Sequence, residues 1–164
     1  MKIIKQIINV LTTLIIIIGV LFVGLYLCGI IPYVVLSGSM EPTIQTGSLC
    51  FINKHAKYES VEEKDIIAFR LSDGTLVTHR VVSIDEDQFV TKGDNNQNQD
   101  GVSSRNNYVG KNIFWIPYAG YAIMLIQTTK GKIIFGTCVV LLFVAGLLFG
   151  ENSKKEKKEK EQEE

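Results

Sequence analysis

The stretch Leu76–Lys92, LVTHRVVSIDEDQFVTK, decides the fold class of this chain. Its first nine residues are rich in β-branched side chains and partly alternate between apolar and polar, which is typical of a half-buried strand. Gln88–Lys92 has the composition of a second short strand, and the polar run Asp85–Asp87 between the two is a turn signal. The stretch therefore predicts two antiparallel strands.

The residues on both sides of this stretch extend the same pattern. Ser48–Asn53 and Asp65–Arg70 are short apolar runs, and polar turn signals lie at Ser72–Gly74 and Gly93–Asn96. Helical periodicity is absent across the region. Short strands separated by polar turns predict a mainly β fold, a small antiparallel β domain with one modest core.

Farther out, two long uncharged runs enclose the predicted β domain. In the segment 7–31 the only polar side chains are Asn9, Thr12 and Thr13. About 20 helical residues cross a bilayer core of about 30 Å, so this segment predicts a transmembrane helix. It is much longer than the apolar core of a cleavable signal peptide, about 7–15 residues. The second run, 133–150, is near the lower limit for a span, and a buried core helix is its alternative.

Lysines at the ends of these two apolar runs predict how the chain is oriented in the membrane. Lys2 and Lys5 precede the first run, and a lysine cluster follows the second. Because positive residues beside a span stay in the cytoplasm, we expect residues 1–6 and the charged tail 151–164 to be cytoplasmic. Residues 32–129 are then extracytoplasmic. Lys130 and Lys132, on the outer side of the second span, oppose this assignment.

The segment 112–129, at the end of the predicted extracytoplasmic region, has the composition of an interfacial segment. It is uncharged and contains Trp115 and Tyr118, and such aromatic residues favour the membrane–water interface. We expect it to lie against the outer leaflet. A third span is the alternative, but Pro117 and Gly120 interrupt the segment.

Overall composition excludes several classes of protein. The 164 residues are 46% hydrophobic and 21% charged, which is too apolar for a disordered chain. With 17 basic and 17 acidic residues the net charge is zero, which argues against a nucleic-acid partner. Three cysteines cannot form a disulfide-dense scaffold.

The first candidate for chemistry is the segment Ser37–Thr43, SGSMEPT. Gly38 permits a tight turn and Pro42 stiffens the chain, so the segment could present Ser39 in a fixed position. A serine is a weak nucleophile until a base removes its proton. The Ser37 hydroxyl could then stabilise an oxyanion beside the Ser39 N–H. An ordinary Ser/Gly linker is the alternative.

The remaining candidates are a base and an acid. His79 lies in the β-rich run, and histidine is the residue type suited to act as a base near neutral pH, although a lone strand histidine is often structural. His55 has the surroundings of a solvated loop. Asp94 and Asp100 are two carboxylates that could orient a histidine, or they could belong to a polar turn. A calcium loop fits poorly, because no glutamate closes it at the EF-hand spacing.

In this order, these segments resemble type I signal peptidases. The resemblance rests on five segments in register: Ser37–Pro42, Gly47–Lys54, Lys64–Arg70, Thr78–Val82 and Gly93–Asn96. It covers about 37–96 and extends loosely to Tyr118. Histidine at position 79, where commoner bacterial enzymes have lysine, marks the branch of the endoplasmic reticulum, archaea and some Gram-positive bacteria.

The resemblance implies a role for each candidate. Ser39 is the expected nucleophile, His79 the general base and Asp100 the third member, while Asp94 matches a second acidic position. The implied activity is that of a membrane-bound serine endopeptidase, a hydrolase that removes signal peptides from exported preproteins through an acyl-enzyme. No metal or other cofactor is expected.

The expected partners are signal peptides, the lipid bilayer and the secretion machinery, with no nucleic acid. The cleavage site of a signal peptide has small residues at positions −1 and −3. An extended substrate can add as a strand to a sheet edge. Four apolar residues flank the serine and could line two shallow pockets for it: Val34, Val35, Leu36 and Ile44.

Three alternatives remain at this point. The chain could be a membrane-anchored binding or assembly module without activity, or an inactive relative of the peptidases. It could also be a sortase-type cysteine peptidase that uses Cys50. That third possibility lacks a Cys–His pair in a fitting motif, and the other two cysteines, Cys28 and Cys138, lie in the predicted spans.

Overall fold

The computed structural model describes the backbone of residues 2–162 and the side chains of residues 3–146. Two long helices, α1 (Lys2–Leu27) and α3 (Thr129–Gln162), stand at the two ends of the chain. Residues 25–125 form one compact unit, and the helical segments before and after them form a second. The sheet and the candidate site belong entirely to the first unit.

The two terminal helices are long and apolar enough to cross a membrane. The candidate spans are Ile3–Leu27 and Thr129–Gly146, with mean hydropathies of 2.7 and 1.6 and no buried residue in either window. Helices this apolar, with no buried residue in the described windows, are consistent with membrane association.

The boundaries of these helices differ from the predicted segments 7–31 and 133–150. Helix α1 ends at Leu27 because Gly29 takes a left-handed conformation, φ 72°, and its N–H donates to the Tyr26 carbonyl at 2.9 Å. Ile30 and Ile31 are therefore the start of a strand. Helix α3 begins at Thr129 and continues into the predicted tail, 151–164, whose side chains lie outside the described residues.

A seven-stranded sheet forms the rest of the molecule, and every pair of neighbouring strands is antiparallel. The strand order is β1-β2-β7-β3-β4-β5-β6. The strands are β1 (Ile30–Val34), β2 (Leu49–Asn53), β3 (Ile66–Arg70), β4 (Leu76–Ile84), β5 (Gln88–Lys92), β6 (Ser103–Ser104) and β7 (Tyr108–Ile116). The prediction of a small antiparallel β domain flanked by two apolar helices is confirmed.

Strands β4 and β5 have the predicted boundaries, whereas β1, β6 and β7 were not predicted. Strand β1 contains Pro32, which lacks an N–H donor, and it is accommodated because β1 is an edge strand. The segment 112–129 consists of the end of β7 and a short helix, α2 (Ala119–Gln127). The predicted contact of this segment with the outer leaflet stays a prediction.

Strand β3 contributes to two hydrophobic clusters. Ile66 and Ala68 join one, and Ile67 and Phe69 join the other, as the period of two along a strand requires. The first cluster also contains Met40 and Ile44, which lie in the connection between β1 and β2. That connection, which carries Ser39, is therefore packed onto the sheet.

Candidate active site

Ser39 lies in a turn that is held at both ends. Directly after it, Met40 is 2% exposed and anchors the turn in the core. Farther on, Glu41 Oε1 accepts hydrogen bonds from the Thr46 N–H at 3.2 Å and the Thr46 hydroxyl at 2.9 Å. These hydrogen bonds keep the pKa of the Glu41 carboxyl below its ordinary value. The Ser37 and Ser39 hydroxyl oxygens lie 3.4 Å apart.

His79 connects this turn to an acidic side chain. It is a buried residue of β4, and its Nε2 lies 3.0 Å from Ser39 Oγ. Its Nδ1 lies 2.6 Å from Asp100 Oδ2. An ionised carboxylate can only accept, so Nδ1 carries the proton and Nε2 is left to accept the proton of the Ser39 hydroxyl. The structure thus brings together three residues that are far apart in the sequence.

Asp94, the other carboxylate considered from the sequence, has a different partner. Arg80 donates to it twice, from Nε to Oδ1 at 2.8 Å and from Nη2 to Oδ2 at 2.7 Å. These hydrogen bonds hold the pKa of the Asp94 carboxyl below its ordinary value and raise the pKa of the Arg80 guanidinium. Because both carboxylates are engaged by side chains, the geometry gives no support to a calcium loop.

Two residues of the segment Gly93–Asn96, to which the sequence analysis gave no individual role, complete the surroundings of Ser39. The Asn95 N–H donates to the Ser39 carbonyl at 2.8 Å, and Asn95 Nδ2 donates to the Gly38 carbonyl at 3.3 Å. Gly93 approaches so closely that a Cβ on it would be 2.6 Å from the Ser39 carbonyl oxygen. No sequence signal identifies these contacts, since they join segments more than 50 residues apart.

Thr91 is a third residue near the site to which the sequence analysis gave no role. Its hydroxyl donates to Asp100 Oδ2 at 2.7 Å, and its carbonyl accepts from the Asp100 N–H at 2.8 Å. Thr91 is 1% exposed, and it pairs with Val81 across β4 and β5. The acidic residue is therefore attached to the strand beside His79.

A largely apolar groove of about 540 Å³ opens beside Ser39 and His79. Its walls come from the end of β1 and the start of β4, for example from Tyr33 and Leu76. The four apolar residues proposed from the sequence all line it: Val34, Val35, Leu36 and Ile44. The groove is thus continuous with the hydroxyl and the imidazole.

Cys50 also lines the groove, but its surroundings make it a poor nucleophile. The residue is fully buried, and burial raises the pKa of its thiol to about 11. A thiol with this pKa is almost entirely protonated at neutral pH, and the thiolate is the reactive form. The sortase-type alternative therefore has no support in this site.

Comparison with known proteins gives matches to one family. Residues 5–112 match the family model described as signal peptidase, peptidase S26. Over 72 residues, 42% of the chain, it is 43% identical to signal peptidase I W of Bacillus subtilis and covers 38% of that protein. Over 107 residues, 57% of the chain, it is 33% identical to the signal peptidase complex catalytic subunit SEC11 of Colletotrichum graminicola, covering 62% of it. The chain thus spans less than two thirds of each of these relatives.

Proposed function

The chain belongs to the signal peptidase family, peptidase S26, and on this premise we propose that it is a membrane-bound serine endopeptidase that removes N-terminal signal peptides from exported preproteins. The observation that carries the proposal is the continuous chain of contacts from Ser39 Oγ through the His79 imidazole to Asp100. The same three groups, in the same roles, perform acyl transfer on several unrelated folds.

The mechanism follows from the hydrogen-bond directions. His79 Nε2 takes the hydroxyl proton as Ser39 Oγ attacks the scissile carbonyl, and Asp100 stabilises the imidazolium that forms. The proton then passes to the leaving amine, and an acyl-enzyme remains. Water, activated by the same imidazole, attacks the ester and releases the signal peptide with a free carboxylate.

We assign stabilisation of the oxyanion to the Ser39 N–H and the Ser37 hydroxyl. The two serine hydroxyls are close enough for Ser37 to reach an oxygen on a carbon bound to Ser39. The peptide plane of Gly38–Ser39 is held on its carbonyl side by Asn95, and in a trans peptide the N–H points the opposite way. Donors fixed in advance cost no reorganisation in the transition state.

The substrate would bind as an extended strand in the groove between β1 and β4. Alternate side chains of a strand point the same way, so residues −1 and −3 would enter the apolar wall that includes Val34, Leu36 and Ile44. Small side chains suit shallow pockets of this kind. Met40, which is buried beside Ser39, would limit the depth available to residue −1.

We further propose that the two apolar helices span the membrane with both chain ends in the cytoplasm and the β domain outside. The lysines beside the spans support this orientation. One relative is named as the catalytic subunit of a signal peptidase complex, so we also propose that this chain associates with the secretion machinery.

The test measures how fast the full chain in detergent cleaves a preprotein, and it compares the wild type with Ser39→Ala. We expect Ser39→Ala to abolish cleavage after a small-x-small site while the protein keeps its melting temperature. The control is Ser83→Ala, an exposed serine on the same strand as His79, which should cleave like wild type. Wild-type protein no more active than Ser39→Ala would favour a non-catalytic binding or assembly module instead.

A further inference from the structure

The acidic member of the proposed triad lies in a part of the chain without regular secondary structure. Asp100 follows β5 by eight residues, in the irregular connection to β6. A backbone of this kind does not by itself fix the direction of a side chain, and the Asp100 side chain is 22% exposed. Something else must therefore keep its carboxylate against His79.

Thr91 makes two hydrogen bonds to Asp100. Its carbonyl accepts from the Asp100 N–H at 2.8 Å, which fixes the backbone. Its hydroxyl donates at 2.7 Å to Oδ2, the same oxygen that accepts from His79 Nδ1. In the described part of the chain, the hydrogen bonds to the Asp100 carboxylate come from the side chains of Thr91 and His79.

The position of Thr91 makes it a rigid attachment point. It belongs to β5, which pairs with β4, the strand of His79. The side chain is almost fully buried, and a β-branched residue has few rotamers. The Thr91 hydroxyl and the His79 imidazole are therefore held by the paired strands β5 and β4.

We propose that Thr91 is a positioning residue for catalysis, which fixes Asp100 Oδ2 in line with the Nδ1–H of His79; this proposal rests on the proposed function. A carboxylate oxygen has two lone pairs, so one can accept from Thr91 while the other accepts from the imidazole. Without the hydroxyl, the carboxylate is free to rotate toward solvent. His79 then loses the partner that selects its tautomer and stabilises the imidazolium.

The experiment compares Thr91→Val, which keeps the shape but removes the donor, with Thr91→Ser, which keeps the donor. We expect Thr91→Val to lower kcat by about tenfold or more with KM nearly unchanged, since the loss of a hydrogen bond to a charged group has this size. We expect Thr91→Ser to stay within about threefold of wild type. If Thr91→Val does not fold, Thr91→Ser and Thr91→Ala, which differ by one hydroxyl, replace it.

The control is Tyr58→Phe. The Tyr58 hydroxyl donates to the carbonyls of Asp85 and Gln88, at the other end of β5. This variant also loses a buried hydroxyl that steadies β5, so it should lower the melting temperature and leave kcat unchanged. Equal kcat losses in Tyr58→Phe and Thr91→Val would show a merely structural effect and overturn the proposal.

A second measurement does not depend on turnover. In proton NMR of the full chain in detergent, the His79 Nδ1–H in a short hydrogen bond should give a downfield signal. We expect Thr91→Val to lose or shift this signal and Thr91→Ser to retain it. An unchanged signal in Thr91→Val would overturn the role of Thr91, whereas a wild type that shows the signal but cleaves no preprotein would overturn the proposed function.

Discussion

At the scale of single residues, the site separates two carboxylates that residue type alone leaves equivalent and that only the family resemblance distinguishes. Asp94 and Asp100 lie six residues apart in one polar run. Asp100 lies against His79, whereas Arg80, the next residue along β4, engages Asp94. Successive residues of a strand point to opposite faces, which gives His79 and Arg80 different hydrogen-bond partners. The two aspartates therefore have different neighbours and, we infer, different roles.

The identity of the base can be tested with His79→Lys. A lysine here would place an ammonium next to the Asp100 carboxylate, and with an ordinary pKa of about 10.4 it would stay protonated. A protonated amine cannot accept the Ser39 proton, so we expect cleavage to fall steeply, by about 10³-fold or more. The measurement is kcat/KM on a preprotein between about pH 6 and 9. Activity near that of wild type in this range would contradict the role of His79.

At the scale of elements, the turn after β5 holds the backbone of Ser39 in place, and we call its residues, Gly93–Asn96, the clamp. Gly93 and Asn95 contact the carbonyls of Gly38 and Ser39 across more than 50 residues of sequence. The Arg80–Asp94 ion pair also ties this turn to β4. The turn after β5 and strand β4 thus both help to fix the position of Ser39.

Gly93→Ala tests this clamp. The added Cβ would be 2.6 Å from the Ser39 carbonyl oxygen, a backbone atom that can move only with the whole turn. We expect a lower melting temperature and a loss of kcat of about tenfold or more, because small displacements of reacting groups have large effects. The matched control is Gly101→Ala, where a Cβ meets nothing within 4 Å and activity should not change. Equal activities of the two variants would contradict the clamp.

The Arg80–Asp94 pair predicts how stability depends on pH. The pKa of Asp94 is lower in the folded protein than its ordinary value of 3.8, chiefly through its hydrogen bonds with Arg80. The pair therefore stabilises the fold above that value, and the contribution is lost as the pH falls through the lower folded pKa. We expect the melting temperature of wild type to drop more between about pH 5 and 2 than that of Asp94→Asn. Parallel curves for the two proteins would contradict this prediction.

At the scale of the whole molecule, a small antiparallel β domain lies between two apolar helices in the sequence. The core of this domain consists of two hydrophobic clusters, and alternate residues of β3 belong to each. No residue in the apolar windows of the two helices is buried in the described part of the chain. Insertion into a membrane, as proposed above, would remove this apolar surface from water.

The proposed orientation can be tested by cysteine labelling in intact cells. Val102, 66% exposed in the β domain, is the position for a new cysteine, because native Cys50 is buried. We expect Val102→Cys to react with a membrane-impermeant maleimide from outside, beyond the background of native Cys28 and Cys138 in wild type. Lys155→Cys is the control and should react only after the membrane is opened. Labelling of Lys155→Cys in intact cells would contradict cytoplasmic chain ends.

The sequence by itself determined the two apolar helices and four of the seven strands, and it offered a serine, a histidine and two aspartates as candidates for acyl transfer. These features depend on local composition and periodicity, and on motifs such as Ser37–Pro42 whose residues are adjacent. The sequence did not identify β7, which lies in the middle of the sheet although it is last in the chain. Only the tertiary structure decided that Asp100 rather than Asp94 meets His79 and that Thr91 holds it. The physical reason is that such contacts depend on strand register and on which face of a strand each residue occupies, and pairing between distant segments fixes both.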